Sequence, residues 1–226
     1  HPLGEQPHGG MIPHYSKTAI KELEQPMKQK ESSYSWKLQD IIFVAMLCVV
    51  FGVVYLAGVY LISPLTAIFA PLGVSLLGTE MIFGIWFMAA TLAAYILQKP
   101  GAAIIAEVLA SLIEVLLGNM YGPMVIGAGI VQGAGAELVF AAWRYKRFDR
   151  TTMYLASVGC TITGFLWSFV RSNYLAIAPQ LLVVYFVVRL ISSFIFSGVL
   201  CKLMGDSLAR TGLLKSYALG RAMRDE

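Results

Sequence analysis

Four carboxylates stand where lipid would have to meet them. The stretch GAAIIAEVLASLIEVLLGNMY (residues 101–121) is apolar enough to cross a bilayer yet holds Glu107 and Glu114; Glu80 opens the preceding apolar run, and Glu137 lies in GAGAELVF. Nine Ile, Leu and Val residues between 101 and 117 favour insertion by roughly 4 kcal/mol, while two mid-span carboxylates cost roughly 5 to 7 kcal/mol. Seven residues apart, Glu107 and Glu114 lie within ~20° of one another on a helix and ~10.5 Å apart along its axis. One face of this helix therefore looks into protein or a wet cavity. The lone mid-span cation is Arg189, in VVRLISS, and the expected structural ion pair joins it to Glu137 or Glu107. Glu80 and Glu114 are left as the outer pair, an excess of negative charge suited to a cationic or multiply hydrogen-bonding ligand.

Their polar neighbours strengthen that reading. Asn119 and Tyr121 follow Glu114, Gln132 lies in the next run, and Arg171, Ser172 and Asn173 form a later turn. Trp86, Trp167, Tyr55, Tyr60 and Tyr174 fall in the same outer half, where a flat or cationic ring could stack on them. Other chemistries are disfavoured. All three histidines (His1, His8, His14) precede residue 36, so the body has no imidazole for acid–base work or metal ligation. Cys48, Cys160 and Cys201 are isolated in apolar runs, without a C-x-x-C pair, and are expected to pack rather than bind metal or form disulfides. GPMVIGAGIVQGAGAEL is glycine-rich, but the third glycine of a dinucleotide loop is replaced by Gln132 and no strand precedes it. No P-loop, G-x-S-x-G or H-E-x-x-H motif is present, so the chain carries no ATPase of its own and no familiar catalytic signature.

The elements that must position these residues are helices. The chain of 226 residues is 58% hydrophobic and 13% charged, with a mean hydropathy of +0.70, values of an integral membrane protein rather than a soluble domain. A spanning helix needs about 20 apolar residues, and six runs approach that length: Leu38–Leu61, Thr79–Leu97, Gly101–Leu117, Met124–Trp143, Thr152–Val170 and Ile177–Leu203. The apolar stretch Ile62–Gly78, interrupted by Pro64, Pro71 and Gly73, is expected to be bent or re-entrant. Lys and Arg collect before the first run, at Lys99, in RYKRFDR (residues 144–150) and after the sixth, which places both termini in the cytoplasm. This clustering at span ends also speaks against nucleic-acid binding. The fold expected is thus all-α, a bundle of six transmembrane helices over residues 36–205. A polar tail over 1–35, partly an artificial extension with Met27 as the natural start, precedes it, and a cytoplasmic tail over 206–226 follows.

With these features in place, the chain resembles a known family. WKLQDIIFVAMLCVVFGVVY, PLTAIFAPLG, and AEVLASLIEVLLGNMYG followed by GAGIVQGAGAELVF look like the YkoE-type substrate-binding (S) component of energy-coupling-factor vitamin transporters, over roughly residues 35–205. The resemblance implies a non-enzymatic subunit of a bacterial plasma membrane that needs no cofactor. It would capture thiamine or its hydroxymethylpyrimidine precursor from outside, with uptake driven by a transmembrane coupling subunit and cytosolic ATPase subunits. It carries ligand binding onto Glu80, Glu114, Asn119, Tyr121 and Gln132, with Trp167 and Asn173 in lesser roles. The first outer loop, within Ile62–Gly78, would close over the site. S components often dock through an Ala-x-x-x-Ala face on the first span; here Val49 follows Ala45, and Ala45, Cys48 and Gly52 form the expected docking face. The competing expectation is a self-sufficient cation or proton carrier that uses the four glutamates as a relay.

Overall fold

A computed structural model describes residues 34–225. The tail expected over residues 1–33, with its histidines and Met27, lies outside the described residues. Those described from Trp36 onward form one all-helical unit.

Helix α1 (Leu38–Phe69) is 32 residues long, ~48 Å at 1.5 Å per residue, against a hydrocarbon core of about 30 Å. It runs on through the stretch expected to break. Pro64, exposed, lies inside it without ending it, as prolines in membrane helices can. The reversal comes later, at a short 3₁₀ turn (Ala70–Leu72) closed by Gly73. There φ is +72°, a conformation glycine adopts without a Cβ penalty. Residues 62–78 are therefore the end of α1, a turn and the start of α2, rather than a separate re-entrant segment.

The second apolar run is one path in three pieces: α2 (Leu76–Ile82), a 3₁₀ turn (Phe83–Phe87) and α3 (Met88–Leu97). Helix α4 (Ala102–Leu116) follows the left-handed Gly101. Next come α5 (Met124–Ala142), α6 (Arg150–Arg171) and α7 (Pro179–Ser193). The last continues through a π-helical turn (Phe194–Leu200) into α8 (Cys201–Arg210). The boundary expected after Gly205 falls inside α8. Beyond it the chain folds back: Leu214 and Leu219, the latter in α9 (Ala218–Ala222), are buried against the bundle.

Among the described residues five helical paths are long and apolar enough to cross a membrane: Leu38–Leu72, Leu76–Leu97, Met124–Ala142, Arg150–Arg171 and Pro179–Arg210. The run expected to be the third span, α4, has only 15 residues. Its pattern explains how it survives. Ala102, Ala103, Ala106, Glu107, Ala110, Ser111 and Glu114 form its buried stripe, spaced alternately by one and three as one face of a 3.6-residue helix requires. Small residues on this stripe let α1, α3 and α5 approach closely, as in membrane bundles generally. Both carboxylates face that packed interior, as their spacing predicts, and neither has any exposed surface.

Candidate functional site

Each buried carboxylate has its own reason to be tolerated. Glu107 Oε2 accepts the Tyr55 hydroxyl at 2.9 Å and the Ala90 amide at 3.0 Å, and the Tyr55 oxygen in turn accepts the Ala89 amide at 3.0 Å. Ala89 and Ala90 open α3, so Glu107 caps a helix N-terminus exposed by the 3₁₀ break, where orphan amides and the helix dipole favour a negative charge. Glu137 does the same for α4, accepting the amides of Gly101 at 2.6 Å and Ala103 at 3.1 Å and the Tyr145 hydroxyl at 2.5 Å.

Arg189 therefore pairs with neither, which corrects the expectation. Its partner is Glu80: Arg189 Nε donates to Glu80 Oε2, and Nη2 donates to Oε1 at 2.6 Å. Both side chains have 0% exposure. Helix-start amides serve both oxygens of Glu137 and the Oε2 of Glu107, whose Oε1 is buried without a hydrogen-bond partner, whereas the donors to Glu80 are the Arg189 guanidinium and the Tyr174 hydroxyl. The Arg189 guanidinium lies 3.7 Å from the Phe83 ring centroid and 5.0 Å from that of Phe165, and Nη1 donates to Ser168 Oγ at 3.1 Å. Tyr174 completes the cluster by donating to Glu80 Oε1 at 2.5 Å. Burial, with the nearby Glu80 charge, raises the Tyr174 phenol above its ordinary value, so it remains a donor.

Glu114 remains. Its Oε1 accepts Asn119 Nδ2 at 2.5 Å and Trp86 Nε1 at 3.3 Å, while its Oε2 is buried with no hydrogen-bond partner. An unsatisfied buried carboxylate oxygen is costly. It belongs to a cavity of about 210 Å³ whose wall also includes Phe83, Trp86, Ser111, Asn119, Tyr121, Gln132, Ser168, Arg171 and Tyr174. Local structure explains the placement. In a 3₁₀ turn residues three apart eclipse one another, so the Phe83–Phe87 turn brings both Phe83 and Trp86 towards the cavity. Asn119 fixes the turn after α4: its Oδ1 accepts the Tyr121 amide at 2.6 Å while its amide group holds Glu114. Arg171 lies over the Tyr121 ring, 4.4 Å from the centroid, and the two form part of the wall together.

The structure thus brings Glu114, Asn119, Tyr121 and Gln132 together and leaves three expected residues off the cavity wall. Glu80 lies behind it, its oxygens taken by Arg189 and Tyr174. Trp167 packs over Gly127, 3.0 Å from where a Cβ would stand, and its buried Nε1 has no partner. Asn173 is exposed with φ +51°, a turn conformation asparagine tolerates, and it serves to deliver Tyr174. Trp86, Phe83 and Ser168 complete the wall; the sequence signal for the first two was their three-residue spacing beside two broken helix ends. Of the four glutamates of the competing relay, Glu80 and Glu137 have both oxygens engaged, while Glu107 and Glu114 each keep one unpartnered. The docking face needs correction as well. Cys48 and Gly52 are buried, with the Cys48 thiol donating to the Ala106 carbonyl at 3.3 Å and Gly52 packed against Ile113. They join α1 to α4, and of the three only Ala45 is exposed. Lys99, read as a topology marker, is buried in an ion pair with Asp40 at 2.5 Å.

The described residues thus form an all-helical bundle with a cavity that mixes aromatic and polar groups around Glu114. Comparison with known proteins gives its class. Residues 39–163 match the family model described as ABC-type cobalt transport system, permease component. A solved structure described as an S-component of an ECF transporter superposes with a TM-score of 0.80 at 42% identity, covering 84% of this chain and 94% of the other. The chain belongs to the S components of energy-coupling-factor transporters, which are substrate-binding membrane subunits and not enzymes. Within that class it is 42% identical over 190 residues to the HMP/thiamine permease protein YkoE of Bacillus subtilis (strain 168), covering 84% of this chain and 93% of the relative. Among the described residues no group of three or more His, Cys, Asp or Glu is placed to hold a metal ion.

Proposed function

We propose that the cavity beside Glu114 binds the aminopyrimidine shared by thiamine and hydroxymethylpyrimidine, and that the chain delivers this ligand to an ATP-driven coupling machinery. The observation that carries the reading is the unpartnered, buried Glu114 Oε2. An exocyclic amino group supplies the N–H that this oxygen lacks, and ring nitrogens can accept from Gln132 or Ser111 on the same wall. Phe83 and Trp86 offer aromatic faces for a flat heterocycle. The relative's name supports the same substrates.

The topology that suits this role has six spans, with the short α4 crossing inside the others, both termini in the cytoplasm of a bacterial cell and the cavity opening outward. A coupling subunit then docks on the membrane-exposed side of α1 that includes Ala45, with cytosolic ATPase subunits beyond it. The test is calorimetric titration of the detergent-purified chain with thiamine and with hydroxymethylpyrimidine. Tight binding of either, lost on Glu114→Gln at unchanged thermal stability, is the expected result. No heat with any pyrimidine, or full affinity in Glu114→Gln, would refute the assignment.

A further inference from the structure

Helices α5 and α6 meet through glycine. A Cβ on Gly135 would stand 2.5 Å from the Gly159 carbonyl oxygen, so the two backbones touch, as small-residue crossings allow. Beside this crossing, on the opposite side of α5 from Glu107, the surface holds an open apolar groove of about 330 Å³. Leu138, Val139, Ala142, Trp143, Val158 and Ile162 line it, with Leu138 67% and Ile162 45% exposed.

The groove runs into the basic turn RYKRFDR, and that turn is built rather than loose. Arg144 and Tyr145 both take positive φ, +51° and +55°, a conformation that costs non-glycine residues and persists only where surroundings impose it. Two aromatic anchors impose it here. Tyr145 donates to Glu137 at 2.5 Å, and Phe148 stacks on Phe140 with centroids 5.3 Å apart. Asp149 then caps α6 through the Thr152 amide at 2.9 Å. With the aromatics turned inward, Arg144, Lys146, Arg147 and Arg150 are exposed: four cations in a turn whose one carboxylate, Asp149, is paired with Arg147 at 2.8 Å.

We propose that the groove and this turn together form a binding site for one anionic phospholipid, an acyl chain lying along the groove and the phosphate headgroup held by Lys146 and Arg150. Charge complementarity selects this occupant. A zwitterionic lipid fills the groove but leaves the net positive charge of the turn in place, and a second copy of this chain brings a basic turn of the same sign. Basic clusters at the ends of interhelical grooves are a recognised means of holding acidic headgroups. The site is separate from the ligand cavity, so it stands whichever pyrimidine that cavity takes.

Native mass spectrometry of the detergent-purified full chain, titrated with phosphatidylglycerol or with phosphatidylcholine of the same acyl chains, tests this. One phosphatidylglycerol should be retained in preference to phosphatidylcholine. The double variant Lys146→Gln, Arg150→Gln should weaken that retention on the order of tenfold while barely affecting phosphatidylcholine. Ala142→Trp and, independently, Ile162→Trp fill the groove and should abolish it; a thermal melt identifies which variants are folded. Equal retention of the two lipids overturns the proposal, as does a phosphatidylglycerol preference that survives in folded groove-filled protein. Loss of a co-purifying coupling subunit in the groove-filled variants with lipid retention intact overturns it too, because the groove would then be a protein interface.

Discussion

Arg189→Met removes the guanidinium that reaches Glu80 and changes little else in volume. In the native bundle Glu80 is satisfied by two Arg189 N–H groups and the Tyr174 hydroxyl, all at 0–3% exposure. The variant leaves a fully buried carboxylate with one donor. Breaking a buried pair from one side costs about 3–5 kcal/mol, whereas replacing both partners by apolar groups is often neutral or better. For a chain of this size each kcal/mol moves the melting temperature by about 2–4 °C, so Arg189→Met should melt roughly 6–20 °C lower, read by tryptophan fluorescence or light scattering in detergent. Glu80→Leu combined with Arg189→Met should recover most of that loss. Ligand affinity provides the second readout. Glu80 lies off the cavity wall, so the double variant should bind far better than Glu114→Gln. A double variant that is stable yet fails to bind would show that Glu80 touches the ligand, and an unchanged melt for Arg189→Met would refute the buried-pair argument altogether.

Three further outcomes follow from the same geometry. Trp86→Phe keeps an aromatic face but removes the N–H on Glu114 Oε1; losing one hydrogen bond to a charged group, worth about 1.5–3 kcal/mol of stability, should lower the melting temperature by roughly 3–12 °C in a detergent melt, and an unchanged melt would refute that bond. Gly52→Val should destabilise the bundle through α1 and α4, because a Cβ there meets Ile113, while Ala45→Val should leave the melting temperature unchanged; the reverse pattern would restore Gly52 to a docking face. The Thr152 amide and then its hydroxyl hold the Asp149 carboxyl at about 2, below the ordinary 3.8. The stabilisation it gives is complete above pH 3.8 and is lost as pH falls towards 2. Asp149→Ala should accordingly cost about 1 kcal/mol at neutral pH, as loss of an N-cap does, and should converge with the wild type in acid melts.

Much of the site is legible in the residue pattern alone. The cost of two carboxylates in an apolar run and their seven-residue spacing require Glu107 and Glu114 to face inward, and the helix honours both. Asn119 and Tyr121 come with Glu114 because they follow it closely along the chain. Local signals also mark where three helices start, at Gly101, Asp149 and Pro179.

Partners are not legible in that pattern, because tertiary structure creates them. A helix that restarts in mid-membrane offers free amides, and nothing in the order of residues announces that the Phe83–Phe87 turn exposes those of Ala89 and Ala90 to Glu107. The same holds for Glu137 at the start of α4. With helix starts serving those two carboxylates, Arg189 is left for Glu80, and of the two carboxylates that keep an unpartnered oxygen, Glu107 and Glu114, it is Glu114 that lines the cavity. Composition and periodicity therefore determine that this is a membrane bundle with charge on one inner face. Which charge supports the fold and which is left for a ligand is decided by packing, since desolvation penalises every buried carboxylate alike and only the three-dimensional arrangement of amides and guanidinium determines which of them is relieved.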